Sequence, residues 1–420
     1  MINRPKGTQD VLPSESGKWQ AVEAAAREVA RRFNLHEIRT PVFEHTELFL
    51  RGVGETTDIV GKEMYTFNDK GNRSITLKPE GTAGVVRSFI ENGLFNLPMP
   101  LKTYYFTPVF RYERPQSGRL REHHQFGVEV FGSTLPETDA EIMHAAHMFF
   151  SGLGVPGLCA NINSIGCPEC RPKYNAALRA YYSDNAEKLC AQCTDRLEKN
   201  PLRLLDCKQE SCQPLRDNAP RTLDHLCNEC AEHFEGVKHG LDCCGVPYNV
   251  DSSIVRGLDY YTRTVFEFIS DSLGAKSTVC GGGRYDNLVQ SLGGKPTPAA
   301  GFGLGFERLL IMLERLGKQP DANTYTDIYI APLGQAERAA ALRLVSQLRG
   351  AGLSAETDLA GRALKAQLKY AEKLGAAYSA VIGGDELESG SLSLKNMHTG
   401  ESVKLAFNDI GGYILGAKKT

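Results

Sequence analysis

The segment Arg111 to Gln125, RYERPQSGRLREHHQ, sets Arg111, Arg114, Arg119 and Arg121 between two apolar, strand-like stretches. Guanidinium groups stay charged and present planar forks that suit phosphates and base edges. A solvated hairpin tip would also collect arginines. Arg111 argues for more, because it ends the run YYFTPVF, where a strand would carry it toward the interior. A buried arginine needs an anionic partner. A glycine cradle for phosphates is not evident: Gly61 and Lys62 lack the first glycine of a Walker loop and are followed by Glu63. The GFGLG run at 301 to 305 is a weak GxG signal that does not follow a strand as a dinucleotide fingerprint should. A nucleotide here would be held by arginines.

A second chemistry lies further along. Ten of the 12 cysteines fall between Cys167 and Cys244, with Cys167/Cys170, Cys190/Cys193 and Cys227/Cys230 as CxxC pairs and Cys207 and Cys212 nearby. Thiolates at that spacing suit up to two tetrahedral zinc sites, although a set of reduced, buried cysteines has the same spelling. Spacing leaves the pairing of ligands open.

The elements that must position these residues follow from hydrophobic period. Val22, Ala25, Ala26, Val29, Ala30 and Phe33 recur with helical spacing. Strand-like runs follow at 38–42, 74–78, 102–112 and 125–131, then again at 264–269, with helical segments at 79–92, 137–152 and 306–316. The long loop around 113 to 124 fits an antiparallel hairpin better than a βαβ crossover. The catalytic part therefore reads as α+β, occupying 1–165 and 246–318, with residues 166–245 as a cysteine-rich insertion. The polar run GKQPDANTYT marks a linker, 319–326. Beyond it, residues 327–420 alternate strand and helix as a small α/β unit with parallel strands.

At this point the order of motifs becomes specific. Pro41 in IRTPVFEHTELFLR, then FRYERPQSGRLREHHQF, then GFGLGFERLLIML resemble the three motifs of class II aminoacyl-tRNA synthetases. RGLDYYTRTVFEF at 256 to 268 and GGGRYDNLV at 281 to 289 resemble the signatures of the histidine-specific branch, and with TLKPEGTAGVVR at 76 to 87 the likeness spans nearly the whole chain. The resemblance implies a six- or seven-stranded antiparallel catalytic sheet, a homodimer built around the Pro41 segment, and an anticodon-binding domain at the C-terminus. It implies that L-histidine and ATP, with Mg2+ as co-substrate, form histidyl-adenylate and pyrophosphate, and that histidine then passes to the 3′ end of tRNA(His). Arg111 and Arg256 are the implied catalytic residues, gripping the α-phosphate from two sides. Arg111, Glu113, Arg119 and Arg308 would bind ATP. Glu80, Thr82, Gln125, Glu129, Tyr260, Tyr261 and Tyr285, with Arg111 and Arg256, would bind histidine. Arg263 stands where many members have Gly, and the zinc sites find no warrant in the resemblance.

Composition sets the outer limits. With 41% hydrophobic and 23% charged residues the chain is of the globular kind. A formal charge of -2 means that any RNA contact must come from local basic patches such as Arg343, Arg349, Arg362, Lys365 and Lys369. The start of the chain lacks the apolar run of a signal peptide, and no stretch is long enough to span a bilayer, so a cytoplasmic protein with no membrane partner is expected. Three rival readings fit less of the sequence. Another class II synthetase, for threonine, glycine or proline, would share the C-terminal domain type but not the histidine signatures. The regulatory subunit of ATP phosphoribosyltransferase, a catalytically silent paralogue, typically lacks the RGLDYYT signature and the C-terminal domain. A zinc-ribbon RNA-binding module would leave Glu80, Arg256 and Arg308 unexplained.

Overall fold

A computed structural model describes every residue except 1, 55–56, 58, 117, 206, 208, 271–276, 321–325 and 419–420. The chain divides into two compact units, Met1–Asp321 and Ala322–Thr420. Most of the expected linker lies outside the described residues.

The first unit is built on an eight-stranded sheet. Its strands run in the order His36–Glu37, Leu101–Phe110, Glu122–Phe131, Ala299–Gly305, Ser277–Arg284, Thr262–Ser270, Ala160–Ser164, Tyr248–Val250. The six inner strands pair antiparallel, whereas both edge strands pair parallel to their neighbours. The sheet is thus wider than the six or seven strands expected, and mixed at its edges. Strands of two and three residues are too short to show an alternating pattern in sequence. The expected strand 38–42 is not one: His36–Glu37 ends before it, and Phe43–His45 opens a separate three-stranded sheet with Tyr65–Asn68 and Ser74–Leu77. Pro41, with no N–H to give a ladder, sits between the two. The GFGLG run, by contrast, is the strand Ala299–Gly305 itself.

Alternation along the central hairpin divides the two faces. Tyr104, Phe126, Val128 and Val130 point into the main core, where they meet the helices Pro13–Arg32, Pro136–Gly152 and Phe306–Arg315. Tyr105, Glu129 and Phe131 must then face the other way, where the helix Thr82–Glu91 covers Phe131 with Phe89, their rings stacked at 4.4 Å. The first helix fits this plan: Val22, Ala26, Val29 and Ala30 are buried, while its outer face carries pairs such as Glu23–Arg27 at 3.1 Å.

The insertion is largely helical, with a small core of its own around Tyr174, Leu178, Tyr182, Leu204 and Leu215. Its last helix, Asn228–Cys244, sends Phe234, Val237 and Leu241 into the main core instead, so it is shared with the body of the first unit. In the second unit Ile328–Pro332, Ala355–Thr357 and Tyr378–Ile382 pair parallel, as the alternation of strand and helix predicts. An antiparallel hairpin, Ser391–Asn396 and Ser402–Ala406, extends that sheet and was not legible as such.

Candidate active site

Arg111, Glu113, Arg119, Gln125, Arg256 and Arg308 line one cavity of about 380 Å³ on the sheet, with His123, Arg203, Thr278, Gly281 and Glu307. Arg111 leaves the end of its strand half-buried and donates from Nε to the Pro79 carbonyl at 2.8 Å. Arg119 lies 3.6 Å from Glu113 across the hairpin. Arg308 enters from the helix Phe306–Arg315 and donates from Nη1 to the Thr278 carbonyl at 2.6 Å. Burial and the nearby Arg119 pull its pKa down. Arg256 forms an ion pair with Glu267 rather than with Asp259, and Thr278 Oγ1 donates to the other Glu267 oxygen at 2.7 Å. Its Nε is buried without a hydrogen-bond partner among the described residues. Gly281 makes room for this arrangement, since a Cβ there would collide with the Arg256 guanidinium. Burial, with Arg111, His124 and Arg308 nearby, pushes His123 down to about 3, so this wall carries a neutral imidazole at physiological pH. Five guanidiniums converging on one cavity favour a polyanion the size of a triphosphate.

Beside that cavity the sheet holds a buried carboxyl. Glu129 is fully enclosed, and its oxygens accept from Thr82 Oγ1 at 2.7 Å, from Tyr105 Oη at 3.1 Å, and from Tyr285 Oη in a short contact. Burial raises its pKa to about 8 against the pull of these donors. A Cβ at Gly301 would strike Glu129 Oε2, so the third-motif strand must be bare where it crosses this carboxyl. Tyr260, Tyr261 and Tyr285 pack around it with ring centroids 4.6 to 6.4 Å apart. Glu80 is also buried and caps the helix Thr82–Glu91, accepting from the amides of Thr82 and Ala83 at 2.7 Å each. Burial raises its pKa too. A small ligand with both N–H and basic nitrogen atoms finds donors and acceptors here within an apolar frame.

The expected residues therefore fall into two groups, those that line a basic cavity and those of a buried polar cluster, with Gln125 on the cavity wall. Two arginines of the hairpin belong to neither: Arg114 is exposed, and Arg121 stacks on Tyr112 at 3.8 Å. Sequence reasoning missed Tyr105 and Arg203. Tyr105 had a signal, since alternation in KTYYFTPVF places it on the same face as Glu129. Arg203 had none, for it reaches the site from inside the insertion.

The eight expected thiols form two tetrads, Cys167, Cys170, Cys227 and Cys230, and Cys190, Cys193, Cys207 and Cys212. All 12 cysteines are free of disulfides.

Comparison with known proteins adds a separate line. A family model described as Histidyl-tRNA synthetase matches residues 7–309, and one described as Anticodon binding domain matches residues 327–416. The histidine–tRNA ligase of Acetivibrio thermocellus is 56% identical over 410 residues, covering 98% of both chains. That of Clostridium novyi is 53% identical over 409 residues, covering 97% of both. Among solved structures, apo histidyl-tRNA synthetase of S. aureus superposes with a TM-score of 0.85 at 40% identity, over 99% of this chain and 100% of that one.

Proposed function

Because the chain belongs to the histidyl-tRNA synthetase family, we infer that it works as a histidine–tRNA ligase, activating L-histidine with ATP and passing it to the 3′ end of tRNA(His). The observation that carries the chemistry is the junction of two sites: a cavity lined by five arginines opens beside a buried carboxyl ringed by tyrosines. ATP would lie in the first with its α-phosphate between Arg111 and Arg256 and its outer phosphates toward Arg119 and Arg308. Glu113 lies near enough to Arg119 to orient it. Mg2+ would enter with ATP and offset phosphate charge, and Glu63 and Glu113 on the cavity wall would offer it oxygen donors. Histidine would lie in the second, with its imidazole toward Glu129, Tyr261 and Tyr285, Tyr260 packed behind them, and its ammonium toward Glu80, Thr82 and Gln125.

The attacking group is the substrate's own carboxylate, and no protein nucleophile is needed. What the protein supplies is orientation and charge stabilisation as the α-phosphorus becomes crowded with oxygen. Transfer follows when the tRNA 3′-hydroxyl attacks the adenylate carbonyl, forming the ester as the carbonyl–phosphate bond breaks and AMP leaves. Specificity would rest on the buried polar cluster: a site built to hydrogen-bond the imidazole rejects an apolar isostere, which offers those groups neither an N–H nor a basic nitrogen, by about 10⁴.

The outer parts of this reading concern partners. The unit Ala322–Thr420 would contact the anticodon side of the tRNA through exposed Arg343, Lys365 and Lys369. Arg349 and Arg362 are already engaged, with Ala355 and with Asp358. A homodimer would cover Val42, Phe43 and Phe67, which stand exposed next to or on the small three-stranded sheet near Pro41. Structural Zn2+ on the insertion's thiols and a cytoplasmic location complete the reading; no helix among the described residues is long and apolar enough to cross a membrane. ATP–pyrophosphate exchange measured with each of the twenty amino acids tests the core of it. Exchange with histidine alone is expected, and exchange with none would favour the silent regulatory paralogue.

A further inference from the structure

The insertion reaches the histidine-signature loop with one arginine from each of its cysteine tetrads. In the first tetrad Cys167 Sγ lies 3.6 Å from Cys170 Sγ and 3.9 Å from Cys227 Sγ. In the second, Cys190 Sγ lies 3.8 Å from Cys207 Sγ. All ligand atoms of each set lie within 4.8 Å of one another. A tetrahedral zinc with sulfur at about 2.3 Å sets its sulfurs about 3.8 Å apart, which matches both tetrads. Disulfides would need sulfurs at about 2.05 Å, and a multi-iron cluster would hold them much farther apart. Backbone amides already point at these sulfurs, Cys227 N to Cys170 Sγ at 3.1 Å and Cys190 N to Cys212 Sγ at 3.4 Å. Such donors support thiolates around a metal ion.

What the tetrads hold in place bears on the site. Arg171 follows Cys170 directly and donates from Nη2 to the carbonyl of Tyr261. Arg203, four residues before Cys207, donates from Nη2 to the Gly257 carbonyl at 2.9 Å and to Asp259 Oδ1 at 2.8 Å. The loop so gripped, residues 256–261, carries Arg256, Tyr260 and Tyr261. The insertion has a small apolar core and few residues to hold two arginines against a neighbouring loop. Metal ions that tie together thiols as distant in sequence as Cys167 and Cys230 would do so.

We propose that the insertion binds two zinc ions, one on Cys167, Cys170, Cys227 and Cys230 and one on Cys190, Cys193, Cys207 and Cys212, and that the lobes they fix position the loop 256–261 through Arg171 and Arg203. The metal part stands without the functional reading; the positioning part rests on it, and the two are read separately. Elemental analysis of the full-length protein purified without chelator should find two zinc ions per chain, and X-ray absorption should place sulfur at about 2.3 Å. No zinc, or iron in its place, overturns the metal assignment, and a single zinc overturns the second centre. Pairing is tested by the double variants. Cys167→Ser/Cys227→Ser should lose one zinc, as one site serves both, whereas Cys167→Ser/Cys190→Ser should lose two; the reverse pattern overturns the pairing. For positioning, Arg171→Met removes one hydrogen bond to the loop without touching the phosphate cavity. It should keep two zinc ions and raise KM for histidine about tenfold with kcat little changed, the effect of about 1.4 kcal/mol. Arg171→Lys should recover part of that loss. Should the Met variant not fold, Arg171→Lys alone is expected to raise KM for histidine by a smaller factor. Unaltered KM in a folded variant that retains both metals overturns the positioning role.

Discussion

Glu129 is the residue whose environment speaks most directly about pH. Its folded pKa, about 8, lies above the ordinary 4.5, so between these values the folded chain holds a proton that the unfolded chain has lost. The stability contributed by the neutral carboxyl is complete below about pH 4.5 and is lost as pH rises through about 8. Glu129→Gln keeps the shape and removes the titration. Without ligand, its stability relative to wild type should therefore grow between about pH 5 and pH 8.5, by on the order of a few kcal/mol. Urea unfolding at the two pH values measures this, and a difference that does not change with pH would contradict the buried titration. Arg256 invites a different experiment, because its ion pair with Glu267 gives it a structural part as well as a place in the cavity. Arg256→Ala should slow ATP–pyrophosphate exchange by about 10² to 10³, roughly 3 to 4 kcal/mol, while transfer from preformed adenylate changes much less. Glu267→Gln, which keeps the guanidinium, separates the parts: it should lower the melting temperature as Arg256→Ala does but slow exchange far less. Equal exchange rates in the two variants would leave Arg256 with a structural role only.

At the scale of elements, Arg263 occupies a backbone position that suits glycine. It is the second residue of the strand Thr262–Ser270 and has φ of 51°, in the left-handed region where glycine is at ease. An arginine there stores strain of about 1 kcal/mol or more. Its backbone is held by the pairs Arg263 N to Gly166 O at 2.9 Å and Ile165 N to Arg263 O at 2.8 Å. Its side chain lies 3.5 Å from both Glu229 and His233 on the shared helix Asn228–Cys244. Arg263→Gly should thus be nearly neutral, since relief of strain offsets the lost contacts. Arg263→Val, β-branched and without those contacts, should cost about 2 kcal/mol. Chemical denaturation of the two variants decides it, and a Val variant as stable as the Gly one would show that the backbone there is not strained.

At the scale of the molecule, each unit carries a core of its own. Ile328, Ile330, Leu344, Val345, Ile382 and Leu394 form one within the second unit. Removing residues 322–420 should accordingly leave a folded protein that exchanges ATP and pyrophosphate with histidine near the full-length rate and charges tRNA poorly. Circular dichroism establishes that the truncated chain is folded. Equal loss of both reactions in such a chain would remove the second unit from any role confined to tRNA.

Sequence by itself determined the kinds of chemistry and their local frames. Alternation in FGVEVF puts Glu129 on the face opposite two core valines, and helical spacing before Asn34 marks the helix that covers the other side. Arg111 stood out because arginines crowd one hairpin segment at the end of an apolar run, whereas the roles of Arg119 and Arg308 were nameable only through the motifs that the family resemblance supplied. Tertiary structure alone decided the pairings. It joined Cys167 to Cys227 and Cys190 to Cys207, gave Arg256 to Glu267 rather than Asp259, brought Tyr105 to Glu129, and carried Arg203 from the insertion to the loop at 257–259. Each of those choices depends on which distant segments can close on one another while burying their apolar faces. That competition is settled by the packing of the whole unit, and no short stretch of sequence contains it.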